Sequence, residues 1–262
     1  MLGPVLKGGI EIELLGDIIS GSYIRMTRAL MQKVGANVHF SENTVKVNEG
    51  KYKEFNFSGM NEPDWSAAAF WYQVVAFAPK AQVLLRGLKN QSVQGDSVLP
   101  EIYDNLGVKS VFTDTGLLLT KSGKSLPAAI HYDFTECPDL AQAVIVTCAA
   151  LRLKGRFTGL KTLRVKETDR IAALQNELSK LGYGIQVTDN VIDLDGTLTT
   201  GTESQKPLLI KCYDDHRMAM SFATLALLRA DICLDEPEVV KKSYPGFWKD
   251  LELAGFYFSD RS

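Results

Sequence analysis

Seven residues, Arg164-Val-Lys-Glu-Thr-Asp-Arg170, carry five charges, and an amphipathic helix is expected directly behind them over 171–181. Lys166 and Arg170 stand four apart, a spacing that on a helix sets two like charges on one face. A helix N-terminus there adds to the conflict, because the macrodipole favours anions over cations. A bound anion, shared by the two cations and the free amides of the first turn, relieves both conflicts. The bland alternative is a solvated charged turn. Further cations stand at Arg217 and Lys242, and carboxylates at Asp139 and Glu167. Four cations with two carboxylates suit a substrate bearing several phosphate or carboxylate groups. They also suit proton transfer at carbon, in which one group takes a hydroxyl proton while another handles a carbon-bound one.

Such residues must be positioned by regular elements, and the chain shows a repeat that can do so. Helix-glycine-strand junctions occur at Gly35, Gly107, Gly182 and Gly255, spaced by roughly 75 residues. In each, an amphipathic helix ends at a glycine able to take the left-handed cap conformation. A second signature keeps the same period: Asp64, Asp139 and Asp215 each precede an apolar run. Aspartate is a favoured N-cap, and a helix apolar nearly all round is a buried one. Each unit thus has one buried, Asp-led helix and one amphipathic, Gly-ended helix. Runs such as Gln82-Val-Leu-Leu-Arg86, Ser110-Val-Phe-Thr113, Gly116-Leu-Leu-Leu-Thr120 and Val191-Ile-Asp-Leu194 supply the strands. The alternation predicts an α/β or α+β layered fold. By the same period the first unit lacks its Asp-led helix, and Met1-Leu-Gly-Pro-Val-Leu-Lys-Gly-Gly9 reads as that helix's tail. The chain is therefore expected to be the C-terminal part of a longer protein.

Composition bounds the function. With 262 residues, 45% hydrophobic, 23% charged and a net charge of −2, the chain is an ordinary globular protein. The near-neutral balance argues against a general nucleic-acid or membrane-surface binder, so an anion site must be a local cluster. The four cysteines are scattered, which fits a reducing cytoplasm and gives neither a disulfide framework nor a metal site. The three histidines are too isolated for a metal cluster, and no signal or membrane-spanning segment is read.

The unusual residues fall at matching places of the repeat, before or inside first helical turns. They are Ser20-Gly-Ser-Tyr23, Gln94-Gly-Asp96, Lys166-Glu167 with Arg170, His216-Arg217 and Lys242-Ser-Tyr-Pro245. A repeat places such loops on one rim. Plainer roles stay open for each: Asp139 and Asp215 as N-caps, Arg217 as a partner of Asp214 or Asp215, Tyr23 as core, Thr162 as a loop residue, and His216 as a satisfied polar residue.

Arg164-Val-Lys-Glu-Thr-Asp-Arg170 and Asp214-Asp-His-Arg-Met-Ala-Met220, taken together, closely resemble the signature segments of the 5-enolpyruvylshikimate-3-phosphate synthase (3-phosphoshikimate 1-carboxyvinyltransferase) family. Ser20-x-x-Tyr23, Gln94-Gly-Asp96, Pro138-Asp139 and Lys242-Ser-Tyr-Pro245 follow in the family's order. The resemblance spans nearly the whole chain. It implies an inside-out α/β barrel of βαβαββ repeats, the enolpyruvyl transferase fold, with the first domain truncated. Residues 1–61 would end the first domain and residues 62–262 would form most of the second. It implies transfer of the enolpyruvyl group of phosphoenolpyruvate to the 5-hydroxyl of 3-phosphoshikimate, with release of phosphate, in the shikimate pathway to chorismate and aromatic amino acids. No metal or organic cofactor is implied, nor any nucleic-acid or membrane partner, and the full-length family is expected to be monomeric and cytoplasmic.

Carried over residue by residue, the resemblance makes Asp139 the acceptor of the hydroxyl proton and Glu167 the group that exchanges a proton at the phosphoenolpyruvate methylene, with Lys166 beside them. Ser20, Tyr23, Asp139, Thr162 and Lys166 would hold 3-phosphoshikimate. Arg170, His216, Arg217 and Lys242 would hold phosphoenolpyruvate. Thr162 stands where the family usually has Asn, and Glu62-Pro-Asp-Trp-Ser66 departs from the usual Gly-Asp-x-Ser-Ser while keeping the aspartate. The family's Lys-Ser…Arg, Asn-Ala-Gly-Thr and Ser-Ser-Gln segments, which supply about half of the substrate contacts, are not found, so these residues alone are expected to be inactive. Two other readings compete. One is the UDP-N-acetylglucosamine 1-carboxyvinyltransferase, which usually carries a reactive loop cysteine and lacks both signature forms. The other is a non-catalytic anion-binding paralogue, whose expected mark is loss of Glu167 or Asp139.

Overall fold

The computed structural model describes residues 1–56, 61–199, 207–229 and 232–259. A 3-10 turn at Gly3–Val5, in the stretch read as a helix tail, leads into β1 (Ile10–Glu13), α1 (Gly21–Lys33), β2 (Val38–Ser41) and β3 (Thr44–Val47). Then come α2 (Trp65–Phe77), β4 (Gln82–Arg86), α3 (Leu99–Asp104), β5 (Val108–Thr113) and β6 (Gly116–Lys121). A complete βαβαββ unit follows: β7 (Ala129–Asp133), α4 (Ala141–Ala150), β8 (Lys154–Thr158), α5 (Arg170–Lys180), β9 (Tyr183–Thr188) and β10 (Val191–Leu198). The chain ends with β11 (Leu208–Ile210), α6 (His216–Ala223), β12 (Ile232–Leu234) and α7 (Phe247–Leu253).

The repeat is visible in the sheets. Strand, helix and hairpin recur as β1-α1-β2-β3, β4-α3-β5-β6 and β8-α5-β9-β10. In each the first strand pairs antiparallel with the last, giving the orders β1-β3-β2, β4-β6-β5 and, after β7, β8-β10-β9. Crossovers through α4 and α6 make β7-β8 and β11-β12 parallel. The Asp-led helices α2, α4 and α6 are buried nearly all round and touch one another, while the sheets lie outside them. Helices inside and sheets outside are the inside-out arrangement that the resemblance implies. Strands such as β8 alternate exposed and buried residues, as a sheet with one wet face must. One large core runs from Trp65 to Leu251, and a small separate one joins Met31, Ala36, Val38 and Val47.

The four junction glycines all have positive φ, from 81° to 97°. At Gly182 a side chain is excluded twice over, since an added Cβ would lie 2.3 Å from the Thr199 carbonyl oxygen. Asp64 and Asp215 cap α2 and α6 by accepting from the amides of Ser66 and Arg217. The middle aspartate differs. Asp139 lies inside a 3-10 turn, Pro138–Leu140, and α4 begins without a side-chain cap.

Lys166 and Arg170 do not share a helical face, contrary to the sequence expectation. Residues Lys161–Val165 form a 3-10 turn, Lys166 is extended, and Asp169 caps α5 by accepting from the Ala172 amide. Arg164 fixes that kink by bonding Asp169 at 2.8 Å, Asn190 and the Asp189 carbonyl. The cap aspartate therefore answers the helix dipole in place of a bound anion.

Candidate active site

The N-termini of α4, α5 and α6 bring their charged residues together around Asp139. Its carboxylate, not engaged in capping, faces three cations: Lys166 at 3.4 Å, Arg170 at 3.2 Å and Arg217 at 3.3 Å. The Tyr23 hydroxyl donates to it at 2.9 Å. Burial alone would raise the Asp139 pKa, but Arg217, Lys166, Tyr23 and Arg170 together hold it at about 2. The group is thus an ionised acceptor across the physiological range. Its hydrogen bond and nearby charge push the Tyr23 phenol upward, after burial, so Tyr23 stays a donor.

Arg170, only 1% exposed, is the hub of this cluster. Its Nε donates to Asp215 at 2.6 Å, one terminal nitrogen to Asp139 and the other to Glu167 at 2.7 Å. A buried guanidinium needs such partners, because losing one side of a buried ion pair costs about 3–5 kcal/mol. Asp215 therefore has two jobs: it caps α6 and it aims Arg170. Arg217 donates from its side chain to the Asp139 carboxylate and carbonyl, while its amide feeds the Asp215 cap. Of the two pairings left open for Arg217, neither side-chain alternative is realised. Its Nε is buried without a hydrogen-bond partner, as is His216 Nδ1, which lies 3.8 Å from Glu167. Burial and then Arg217 depress the His216 pKa, favouring the neutral ring.

Tyr23 reaches the cluster from α1, the helix that also supplies Met31 to the small core. It is 43% exposed, so it is not a core residue. The N-terminus of α1 is clamped to the loop before Asp139. The Ser20 amide bonds the Thr135 carbonyl, and the Ser22 amide and Arg25 side chain bond the Glu136 carboxylate. The Ser22 hydroxyl donates to the Glu136 carbonyl at 2.6 Å. Beside Tyr23 lies a cleft of about 630 Å³ lined in part by Ser22, Asp64, Ser66, Gln94 and Asp96. Asp96 is buried and bonded to the Ser66 hydroxyl; burial raises its pKa to about 6, opposed by that bond and increased by Asp139.

Three expected site residues stand apart from the cluster's bonding. Lys242 turns to the Asp214 carbonyl and carboxylate, at 2.7 and 2.8 Å. Ser20, at φ 60°, makes no side-chain cap bond to α1. The Thr162 hydroxyl is buried without a partner. Sequence reasoning also missed Glu136, whose contacts with α1 span more than 110 residues and leave no local pattern.

This chain matches the family model described as EPSP synthase (3-phosphoshikimate 1-carboxyvinyltransferase) over residues 1–251. The chain belongs to the EPSP synthase family. A 3-phosphoshikimate 1-carboxyvinyltransferase of Bacteroides fragilis is 45% identical over 258 residues, covering 98% of this chain and 62% of the relative. One of Methanospirillum hungatei is 33% identical, covering 95% of this chain and 57% of the relative. The chain thus spans about three fifths of the length of these curated EPSP synthase relatives. Among solved structures, an EPSP synthase from Acinetobacter baumannii superposes with a TM-score of 0.73 at 23% identity, covering 97% of this chain and 58% of that one. The enolpyruvyl transferase NikO from Streptomyces tendae gives 0.63 at 15% identity, covering 97% and 57%. Those two likenesses speak for the fold alone. The EPSP synthase membership does not favour the UDP-N-acetylglucosamine enzyme.

Proposed function

We propose that this chain supplies the Asp139–Arg170 rim of a 3-phosphoshikimate 1-carboxyvinyltransferase. That enzyme joins the enolpyruvyl group of phosphoenolpyruvate to the 5-hydroxyl of 3-phosphoshikimate and releases phosphate, a step toward chorismate and aromatic amino acids. The observation that carries the reading is Asp139. It alone of the three repeat aspartates is excused from capping, and it is held ionised by three cations and a tyrosine hydroxyl. An ionised carboxylate there can accept the hydroxyl proton as the new C–O bond forms. Glu167, held by Arg170, stands beside His216 and is placed to move a proton at the methylene carbon. Phosphate leaves with its charge met by cations already arranged.

The proposed division of the site gives 3-phosphoshikimate to Ser20, Tyr23, Asp139, Thr162 and Lys166, and phosphoenolpyruvate to Arg170, His216, Arg217 and Lys242. The buried, unpartnered Thr162 hydroxyl, His216 Nδ1 and Arg217 Nε support it, since such atoms gain a partner when a polar ligand arrives. Lys242 must leave Asp214 to take part. Residues 1–61 belong in this reading to one domain and residues 62–262 to a second; that boundary adjoins 57–60, outside the described residues. The reaction is placed in the cytoplasm, consistent with four free cysteine thiols, and in a monomer. Among the described residues no helix is long and apolar enough to cross a membrane. Because the matched relatives are longer, these 262 residues alone are expected to release no phosphate.

Isothermal titration of the chain with 3-phosphoshikimate, and with unphosphorylated shikimate as control, tests the assignment. The expected result is binding of the phosphorylated ligand that is weakened at least ~10-fold in Lys166→Ala, a charge-assisted contact being worth about 1.5–3 kcal/mol. Equal affinity for both ligands, or no effect of Lys166→Ala, contradicts it.

A further inference from the structure

The segment that carries Asp215, His216 and Arg217 begins with an unusual turn. Tyr213 and Asp214 both have positive φ, 58° and 53°, although neither is glycine. A side chain is strained in this left-handed region, so such residues persist only where the surroundings over-determine them. The surroundings are three carboxylates, each accepting from one amide of the turn: Glu177 from Lys211, Asp235 from Cys212, and Glu236 from Asp214.

Glu177 differs from the other two. Its side chain is only 1% exposed, and it lies on α5, the helix that opens with Arg170. Seven residues are two helical turns, so Arg170 and Glu177 share one face about 10 Å apart. Both grip the same segment. Arg170 holds the Asp215 carboxylate, while Glu177 accepts from the Tyr213 hydroxyl at 2.8 Å and from the Lys211 amide at 3.2 Å. Lys180 completes the arrangement, donating to Glu177 and, at 2.9 Å, to the Leu209 carbonyl. We infer that Glu177 is a positioning residue: through Tyr213 it holds the left-handed turn that sets Asp215, and so aims Arg170 and Arg217 at the ligand's anionic group. The inference rests on the function proposed above for the identity of that ligand. Glu177 itself touches no reacting atom.

Two variants test it, Glu177→Gln and the milder Tyr213→Phe, which removes only the hydroxyl. Amide hydrogen exchange of the intact chain reads the turn without any ligand. Exchange at the Arg217 amide, which is bonded to Asp215, is expected to speed up at least ~10-fold in both variants, while α4 amides stay unchanged. Unchanged Arg217 protection in folded Tyr213→Phe overturns the latch. In calorimetry, phosphoenolpyruvate affinity is expected to fall about 10-fold and 3-phosphoshikimate affinity less than about twofold, because misaimed cations lose one ligand selectively. Equal loss of both ligands, or of neither, overturns the positioning role. A wild-type chain that binds neither ligand sinks the proposed function, and the exchange result then decides the latch alone.

Discussion

Three repeat aspartates occupy equivalent positions, yet they do different chemistry. Asp64 caps, Asp215 caps and aims Arg170, and Asp139 neither caps nor aims but sits ionised among cations. Geometry separates them, since the 3-10 turn at Pro138–Leu140 removes the Asp139 side chain from the helix amides. A fourth carboxylate, Asp96, behaves oppositely. Its folded pKa of about 6 lies above the ordinary 3.8, so its favourable contribution is complete below about pH 4 and is lost as pH rises through 6. Asp139, depressed to about 2, contributes above pH 4 and loses that contribution as pH falls toward 2. Asp96→Asn, which keeps an acceptor for Ser66, is therefore expected to stabilise the chain at pH 8 by about 3 kcal/mol, one pKa unit being about 1.4 kcal/mol. Thermal melts at pH 8 and pH 4 check this: the gain should vanish at pH 4, and a pH-independent change would refute it. At this scale the sequence exposed what charge patterning exposes, namely Lys166, Glu167, Arg170 and Arg217. It could not show Glu136, Glu177 or the burial of Asp96, whose roles come from partners some 30 to 114 residues away.

Punctuation made the elements legible. Glycines that end helices and aspartates that begin them are local signals, because each satisfies backbone groups within a few residues. The period they marked is the period of the sheets behind Gly35, Gly107 and Gly182; after Gly255 the described residues form no strand, contrary to the expectation there. Where expectation failed, at Lys166 and Arg170, a cap residue between two like charges redirected the chain before the helix began. The same punctuation predicts unequal costs of substitution. Gly255→Ala meets open space and bears only the left-handed backbone strain, about 1 kcal/mol. Gly182→Ala must also displace the Thr199 carbonyl, and with it the Thr199 amide that donates to the Gly182 carbonyl and ties the start of β9 to the end of β10. Its loss by chemical denaturation is expected to exceed that of Gly255→Ala by at least ~1 kcal/mol, as overpacking typically adds 1–3 kcal/mol. Equal losses would show that the close approach at Gly182 relaxes freely.

At the scale of the molecule, burying α2, α4 and α6 together fixes the site. Their N-termini open onto one rim, so each copy of the repeat delivers a polar first turn there, and α5 adds Arg170 from the amphipathic layer. The layered class and the convergence of loops followed from the repeat. The clamp of α1 onto Glu136, which adds Tyr23 to Asp139, depends on tertiary contact and had no sequence signal. The most direct test of the central claim is turnover when these 262 residues replace the matching segment of the Bacteroides fragilis relative. Phosphate release from phosphoenolpyruvate is expected, requiring 3-phosphoshikimate and absent from the 262 residues alone. A folded replacement protein that releases no phosphate with both substrates present would contradict it.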